Sequence, residues 1–289
     1  MTLRQRLEGR RVGVVLSAGY FGFYGHAGFV DGLAAAGIRP AAWAGTSAGG
    51  MVAAFAAAGL PASRITELVL AQRREHFWDP DYLGIAVDAV RKGHRPSGLL
   101  KGARFRKLLE DFLPVPDFAA LPSPLVLVAT CLSKQRPHVM TQGELASAVH
   151  ATCAYPGLFQ AVRRDHVLLW DGGIVDKAPA LALKDSDVGA SLDVLLVHYL
   201  PSRDGAKEPA GALAYPAGMA AGFAALRRDH FRLQLEVLKA RGVEVHVVTS
   251  HLPPVSPKTM HQGPKAVAAG RQAALAALAA PSRPWTGEG

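Results

Sequence analysis

The segment Gly45-Thr46-Ser47-Ala48-Gly49 carries the clearest chemistry in this chain. A serine flanked two positions away by glycines is the pattern of a nucleophile on a sharp strand-to-helix turn, where the neighbours approach too closely for a Cβ. Gly45 and Gly49 meet that demand. The setting agrees, because the apolar run Ala41 to Ala44 precedes the turn and the Ala-rich run Met51 to Ala58 follows it. A helix beginning at Ala48 puts its positive end beside Ser47, where an attacked ester oxygen would gain negative charge. Read by itself, the same string also suits a glycine-rich turn capping a helix.

Such a reaction needs at least two fixed donors for the oxyanion, and the backbone N–H after the nucleophile, at Ala48, is one. The other is expected from SAGYFGFYG, directly after the apolar run RVGVVL, since its glycines let N–H groups turn inward toward an anion. Gly19 and Tyr20 are the candidates. This loop lacks the GKS or GKT ending of a nucleotide P-loop and the spacing of a dinucleotide fingerprint. A base is offered by Asp171-Gly172-Gly173, which follows VLLW at what reads as a sheet edge, although Asp-Gly is also a common hairpin turn. The order serine, acid, histidine leaves His198, His230, His246, His251 and His261 open as a third member of an esterase triad.

With these three motifs in this order, the chain resembles the patatin-like phospholipase family over roughly Val12 to Pro179, including LVLVATCLSKQRPHVMTQGELASAVHATCAYPGLFQAV. The resemblance implies a Ser-Asp dyad on a three-layer α/β/α fold with a mainly parallel central sheet, with no histidine, catalytic metal or cofactor. It implies a carboxylic ester hydrolase acting on phospholipid, lysophospholipid or acylglycerol through an acyl-enzyme. Ser47 would attack, Asp171 would accept and return the proton, and the Gly19 loop would hold the oxyanion. An ordinary carboxylate, with a pKa of about 3.9, is a weak base, so the mechanism demands a site that desolvates Asp171.

Departures from the family pattern are specific. Ser17 and Ala18 stand where the loop usually has its first two glycines, Phe21 where it has a basic residue, and Lys177 where an Asn commonly precedes the proline by two positions. They keep a second expectation open, a catalytically silent patatin-fold protein that binds lipid or another protein. His26 begins a helix where the family often has histidine, and a structural role is expected for it.

The elements that must position these groups alternate. Strands are expected at Arg11 to Leu16, Ala41 to Ala44, Leu125 to Thr130, His138 to Met140, Val167 to Trp170, Val194 to His198 and Val243 to Thr249. Helices are expected at Gly28 to Ala36, Met51 to Ala58, Glu144 to Thr152, Ala224 to Ala240 and Pro264 to Ala279, with no regular element in the glycine-rich loop before about His26. This is an α/β layer pattern. The stretch Pro61 to Phe118 reads as a helical insertion covering one end of the sheet. Pro209 to Leu226 is uncharged but mostly Ala and Gly around Pro216, which suits a surface helical hairpin, a cover or a membrane contact better than a span. The division expected is a flexible basic terminus at 1–10, one hydrolase domain at 11–280 and a flexible tail at 281–289.

Composition narrows the classes. Of 289 residues, 49% are hydrophobic and 19% charged, which describes a globular chain. The net charge of +9 favours contact with phosphates, and without a nucleic-acid motif the expected partners are a lipid or acyl-ester substrate and, peripherally, an anionic membrane. The clusters Arg4 to Arg11 and Arg163 with Arg164 read as solvated faces. Cys131 and Cys153 read as buried free thiols. Val12 to Leu16 is shorter than the roughly 7 to 15 residues of a signal-peptide core, so a cytoplasmic location is expected.

Overall fold

The computed structural model describes residues 1–83, 98–202 and 214–287. Its strands are β1 (Val12–Leu16), β2 (Ala42–Gly45), β3 (Gly98–Leu100), β4 (Leu125–Cys131), β5 (Arg136–Met140), β6 (Gly157–Phe159), β7 (Val162–Arg164), β8 (Val167–Asp171), β9 (Val194–Tyr199) and β10 (Glu244–Thr249). Its helices are α1 (Leu3–Leu7), α2 (Phe23–Ala35), α3 (Ala48–Ala57), α4 (Ala62–Leu70), α5 (Arg74–Phe77), α6 (Ala103–Phe112), α7 (Leu145–Thr152), α8 (Ala180–Lys184), α9 (Ala214–Ala240) and α10 (Gly263–Ala279).

Successive side chains of a strand point to opposite faces, and here both faces are apolar. Val14, Leu16, Trp43, Leu125, Leu127, Val194 and Leu196 join a core with α2, α3, α7 and α10. Val15, Ala42, Ala44, Val126, Leu195 and Val197 join a second core with α8 and α9. Helices therefore cover both faces of the sheet, giving the three-layer α/β/α fold. Strands β10, β9, β1, β2 and β4 pair in parallel in that order, and β5, β8 and β7 add antiparallel pairings. The sheet is mainly parallel.

One feature of this pairing sets the site. Leu127 pairs with Gly45 of β2 and with Met140 of β5, so those two strands lie on opposite edges of β4. Ala129 to Cys131 pair with β5 and also with β8. Strands β2 and β8 therefore share one edge of β4 end to end, running in opposite directions. The chain leaves β2 at Gly45, opposite Leu127, and β8 arrives at Asp171, opposite Ala129. Asp171 is thus inside the sheet with β7 beyond its strand, and the expectation of a sheet edge is corrected.

Other boundaries differ for physical reasons. Helix α2 starts at Phe23, earlier than expected, because Gly25 and Gly28 do not break it: a Cβ on Gly28 would overlap Val267 O, and Gly25 O sits where a Cβ on Gly270 would go. These glycines let α2 and α10 approach backbone to backbone. Residues 1–10 are not a free arm. A Thr2–Gln5 capping box starts α1, Leu3 and Leu7 are buried, and Arg6 and Arg10 bond Glu244, whose carboxyl Arg6 above all holds down to about 2. The C-terminal segment is tied as well, with Ser282 N–H donating to Met1 O and Trp285 N–H to Val245 O at 2.8 Å.

Within the insertion, β3 pairs in parallel with β6, so it is not wholly helical, and residues 84–97 lie outside the described part. The expected hairpin at 209–226 is, from residue 214 onward, part of one continuous helix α9; residues 209–213 lie outside the described part. Arg164 is buried rather than solvated and donates to Gln142 O and Glu144 O at 2.5 and 2.7 Å. Both cysteines are free; Cys131 is buried and Cys153 is only partly so.

Candidate active site

Ser47 occupies the turn between β2 and α3 with φ 55° and ψ −127°. Such a backbone costs a non-glycine residue about 1–3 kcal/mol and persists only where the surroundings impose it. Here they do. A Cβ on Gly45 would come within 2.7 Å of Gly49 C, and one on Gly49 would overlap the carbonyl oxygens of Leu16 and Ser17. Gly49→Ala is expected to destabilise the fold by roughly 1–3 kcal/mol, the usual cost of overpacking, read as a lower midpoint of urea unfolding.

The elbow is braced from α7. Ser47 N–H donates to Thr152 Oγ1 at 3.0 Å, and Thr152 Oγ1–H donates in turn to Val128 O of β4 at 2.5 Å. Asp171 is held as firmly, its N–H donating to Ala154 O at 2.9 Å and its carbonyl accepting from Thr130 Oγ1 at 2.8 Å. The two strand ends then bring Ser47 Oγ to 2.5 Å from Asp171 Oδ2, while Asp171 Oδ1 accepts from Gly173 N–H at 2.7 Å.

Asp171 is almost fully buried, with 3% of its surface exposed. Burial pushes its carboxyl up to about 6, against the opposing pull of the Ser47 and Gly173 hydrogen bonds and the Arg227 charge. Arg227 of α9 reaches in to donate to Gly173 O at 3.2 Å. Burial, and then the Asp171 charge, drive the neighbouring Cys153 thiol well above its ordinary value, so this cysteine stays protonated.

Gly19, Tyr20, Ser47, Ala48 and Asp171 all line one cavity of about 870 Å³. Within the loop, Ala18 N–H donates to Lys177 O and Gly22 N–H to Gly19 O, both at 2.7 Å. The intervening N–H groups of Gly19 and Tyr20 have no acceptor among the described residues, and neither has that of Ala48. Three backbone donors are thus available where a tetrahedral oxyanion would require two. Phe21, replacing the family's basic residue, has φ 53° and packs on Tyr20, Phe23 and Phe77, so it extends the apolar wall. Lys177 is buried; its Nζ donates to Ser202 Oγ at 2.8 Å and lies 4.8 Å over the Tyr199 ring.

Among the described residues no histidine is bonded to Ser47 or Asp171. His198 bonds His26 and Ser250, His246 bonds Glu244, His251 lines the cavity, and His230 stands by Asp176. No cluster of three or more potential metal-ligating side chains occurs among the described residues. Thr152, Thr130 and Arg227 carry no motif of their own. Thr152 does fall inside the ATCAYPGLF segment, but its task depends on where α7 docks.

The patatin-like phospholipase family model matches residues 14–184, from β1 to the end of α8. The uncharacterized NTE family protein Rv2565 of Mycobacterium tuberculosis is 29% identical over 181 residues, which cover 62% of this chain and 29% of that protein. Rv1063c, of the same family and organism, is 26% identical over 186 residues, covering 64% of this chain and 49% of its own length. The chain therefore spans less than half the length of these curated relatives. Among solved structures, VipD from Legionella pneumophila aligns over 93% of this chain and 66% of its own at 14% identity, with a TM-score of 0.49. Human GIVD cytosolic phospholipase A2 aligns over 90% and 48% at 14% identity, with a TM-score of 0.40. With the match spanning more than half of the chain and taking in Gly19, Ser47 and Asp171, this chain belongs to the patatin-like phospholipase family.

Proposed function

We propose that this chain hydrolyses acyl esters of lipids, with Ser47 as nucleophile and Asp171 as its base. The observation that carries this reading is the 2.5 Å approach of Ser47 Oγ to a buried carboxylate at an apolar cavity. Ser47 Oγ attacks the acyl carbon as its proton passes to Asp171 Oδ2. The carbonyl oxygen becomes an oxyanion held by N–H groups of Gly19, Tyr20 and Ala48, assisted by the positive end of α3. Collapse expels the alcohol, which takes the proton from Asp171 and leaves an acyl-Ser47. Water then attacks as Asp171 accepts its proton, and breakdown returns that proton to Ser47 Oγ.

A cavity wall built from Phe21, Phe55, Phe77, Phe112 and Leu252 suits an acyl chain, and Lys177 and Arg227 give the same cavity a positive side for a phosphate-bearing head group. Phospholipid, lysophospholipid and acylglycerol all fit this description. Mass spectrometry after treatment with a fluorophosphonate tests the reading without presuming a substrate. A single adduct on Ser47 supports it, and a folded protein with no adduct favours a silent lipid- or protein-binding role.

Substrate held in a bilayer must reach the cavity. Residues 215–226 of α9 carry no charge, and Tyr215, Phe223 and Leu226 are exposed at 79%, 46% and 67%. Exposed Arg228 and Arg232 follow on the same helix, the pattern of a segment lying at an anionic lipid surface. No helix among the described residues is long and apolar enough to cross a membrane. Changing both Phe223 and Leu226 to Glu removes about 1.5–3 kcal/mol of burial per side chain, tenfold or more in affinity. Hydrolysis of anionic vesicles should fall by at least that factor while turnover of a short soluble ester stays within about twofold; equal losses on both substrates would place the effect elsewhere.

A further inference from the structure

Three hydrogen bonds run in series between the cavity wall and the oxyanion loop, through groups that the reaction does not use. Ser250, which follows β10 and lines the cavity, has its Oγ 2.8 Å from His198 Nε2. His198 Nδ1 is 2.9 Å from His26 Nδ1, and His26 Nε2 is 2.8 Å from Ser17 O. Both imidazoles have no exposed surface, and Phe29 stacks on the His198 ring at 4.1 Å.

The ends of this series set its direction. Ser17 O can only accept, so His26 Nε2 carries a proton and donates it. Burial keeps both rings neutral, pushing His26 down to about 3 and His198 well below its ordinary value. Neutral His26 then presents its Nδ1 lone pair to His198 Nδ1–H, and His198 Nε2 accepts from Ser250 Oγ–H. With both rings neutral, one placement of protons makes all three bonds.

What the series holds is Ser17. Its N–H donates to His198 O at 3.1 Å, its Oγ accepts from Leu200 N–H at 2.9 Å, and its carbonyl accepts from His26. The Oγ anchor belongs to this chain in particular, because the family pattern usually has glycine there. Two and three residues on lie the unpaired N–H groups of Gly19 and Tyr20. Glycine leaves such a loop many conformations, and a misplacement of about 1 Å in a reacting group can cost on the order of 100-fold in rate.

We propose that Ser250, His198 and His26 are positioning residues that lock the Ser17 carbonyl and thereby aim the Gly19 and Tyr20 N–H groups at the acyl oxygen. The role rests on the Ser47 hydrolase reading.

Two measurements on the full chain test it. Nitrogen-15 NMR of labelled imidazoles should find His26 protonated at Nε2 and His198 at Nδ1, unchanged between pH 6 and 8; any other pair of tautomers overturns the proposal. In the second, His26→Leu should lower kcat on a short soluble ester by about 10- to 100-fold with KM within about twofold. His26→Gln, whose amide nitrogen can still reach Ser17 O, should recover most of that loss. Wild-type kcat in folded His26→Leu overturns the role, as do equal losses in both variants tracking their thermal stability, which would show packing alone. A wild-type protein that neither turns over ester nor labels at Ser47 removes the hydrolase reading and the positioning role with it, while the tautomers still report whether the series exists.

Discussion

Ser47→Ala is expected to abolish fluorophosphonate labelling and to lower kcat by on the order of 10⁴-fold or more, the scale seen when the nucleophile of a serine hydrolase is removed. The geometry makes this variant clean. Among the described residues Ser47 Oγ bonds only Asp171, whereas the brace from Thr152 uses the backbone N–H and survives the change. Alanine occupies the same strained φ of 55° at a similar cost, so the elbow should persist. Far-ultraviolet circular dichroism and the unfolding midpoint check that the fold is kept. Residual labelling on another residue, or turnover within tenfold of wild type, would remove Ser47 from the mechanism.

Asp171→Asn should separate activity from stability, with opposite signs. Losing a general base costs about 10²–10⁴-fold in kcat. In the wild type, kcat/KM should rise as pH passes through about 6, where the buried carboxyl ionises, and a plateau extending well below that pH would exclude Asp171 as the base. The folded carboxyl sits at about 6 against 3.8 for the free side chain, so between those values the native state holds a proton that the unfolded chain releases. Its contribution to stability is therefore full below about pH 4 and is lost as pH rises through about 6. Asparagine needs no such proton, keeps an acceptor for Gly173 N–H and offers a donor to Ser47. At pH 7.5 the variant should be more stable than wild type by up to about 3 kcal/mol, and near pH 4 the gain should vanish. A variant less stable than wild type at both pH values would contradict the burial argument. Carrying an active site at the expense of stability is a common trade.

The same residues show how far the sequence could be read. The strained turn at Ser47 was legible because its constraint is local: Gly45 and Gly49 are required within two positions of Ser47 whatever else the chain does. Strand alternation was legible too, since both faces of β1, β2, β4 and β9 are buried and their runs are mostly apolar, Thr130 and His198 being the polar exceptions. The order of the three motifs within Val12 to Pro179 was enough to point to the family whose model matches residues 14–184.

Long-range pairing decided the rest. That Asp171 meets Ser47 depends on β2 and β8 sharing one edge of β4, a register between segments 124 residues apart that no local pattern encodes. Glycines in α2 look like breakers until α10 lies against them, because only a packed neighbour shows whether a missing Cβ makes a loop or a close approach. Arg6 reads as a solvated charge until Glu244, 238 residues away, is beside it. The histidines were the least legible of all, since a titratable side chain becomes a base, a ligand or a fixed strut according to what surrounds it, and only the fold brings His26, His198 and Ser250 into line.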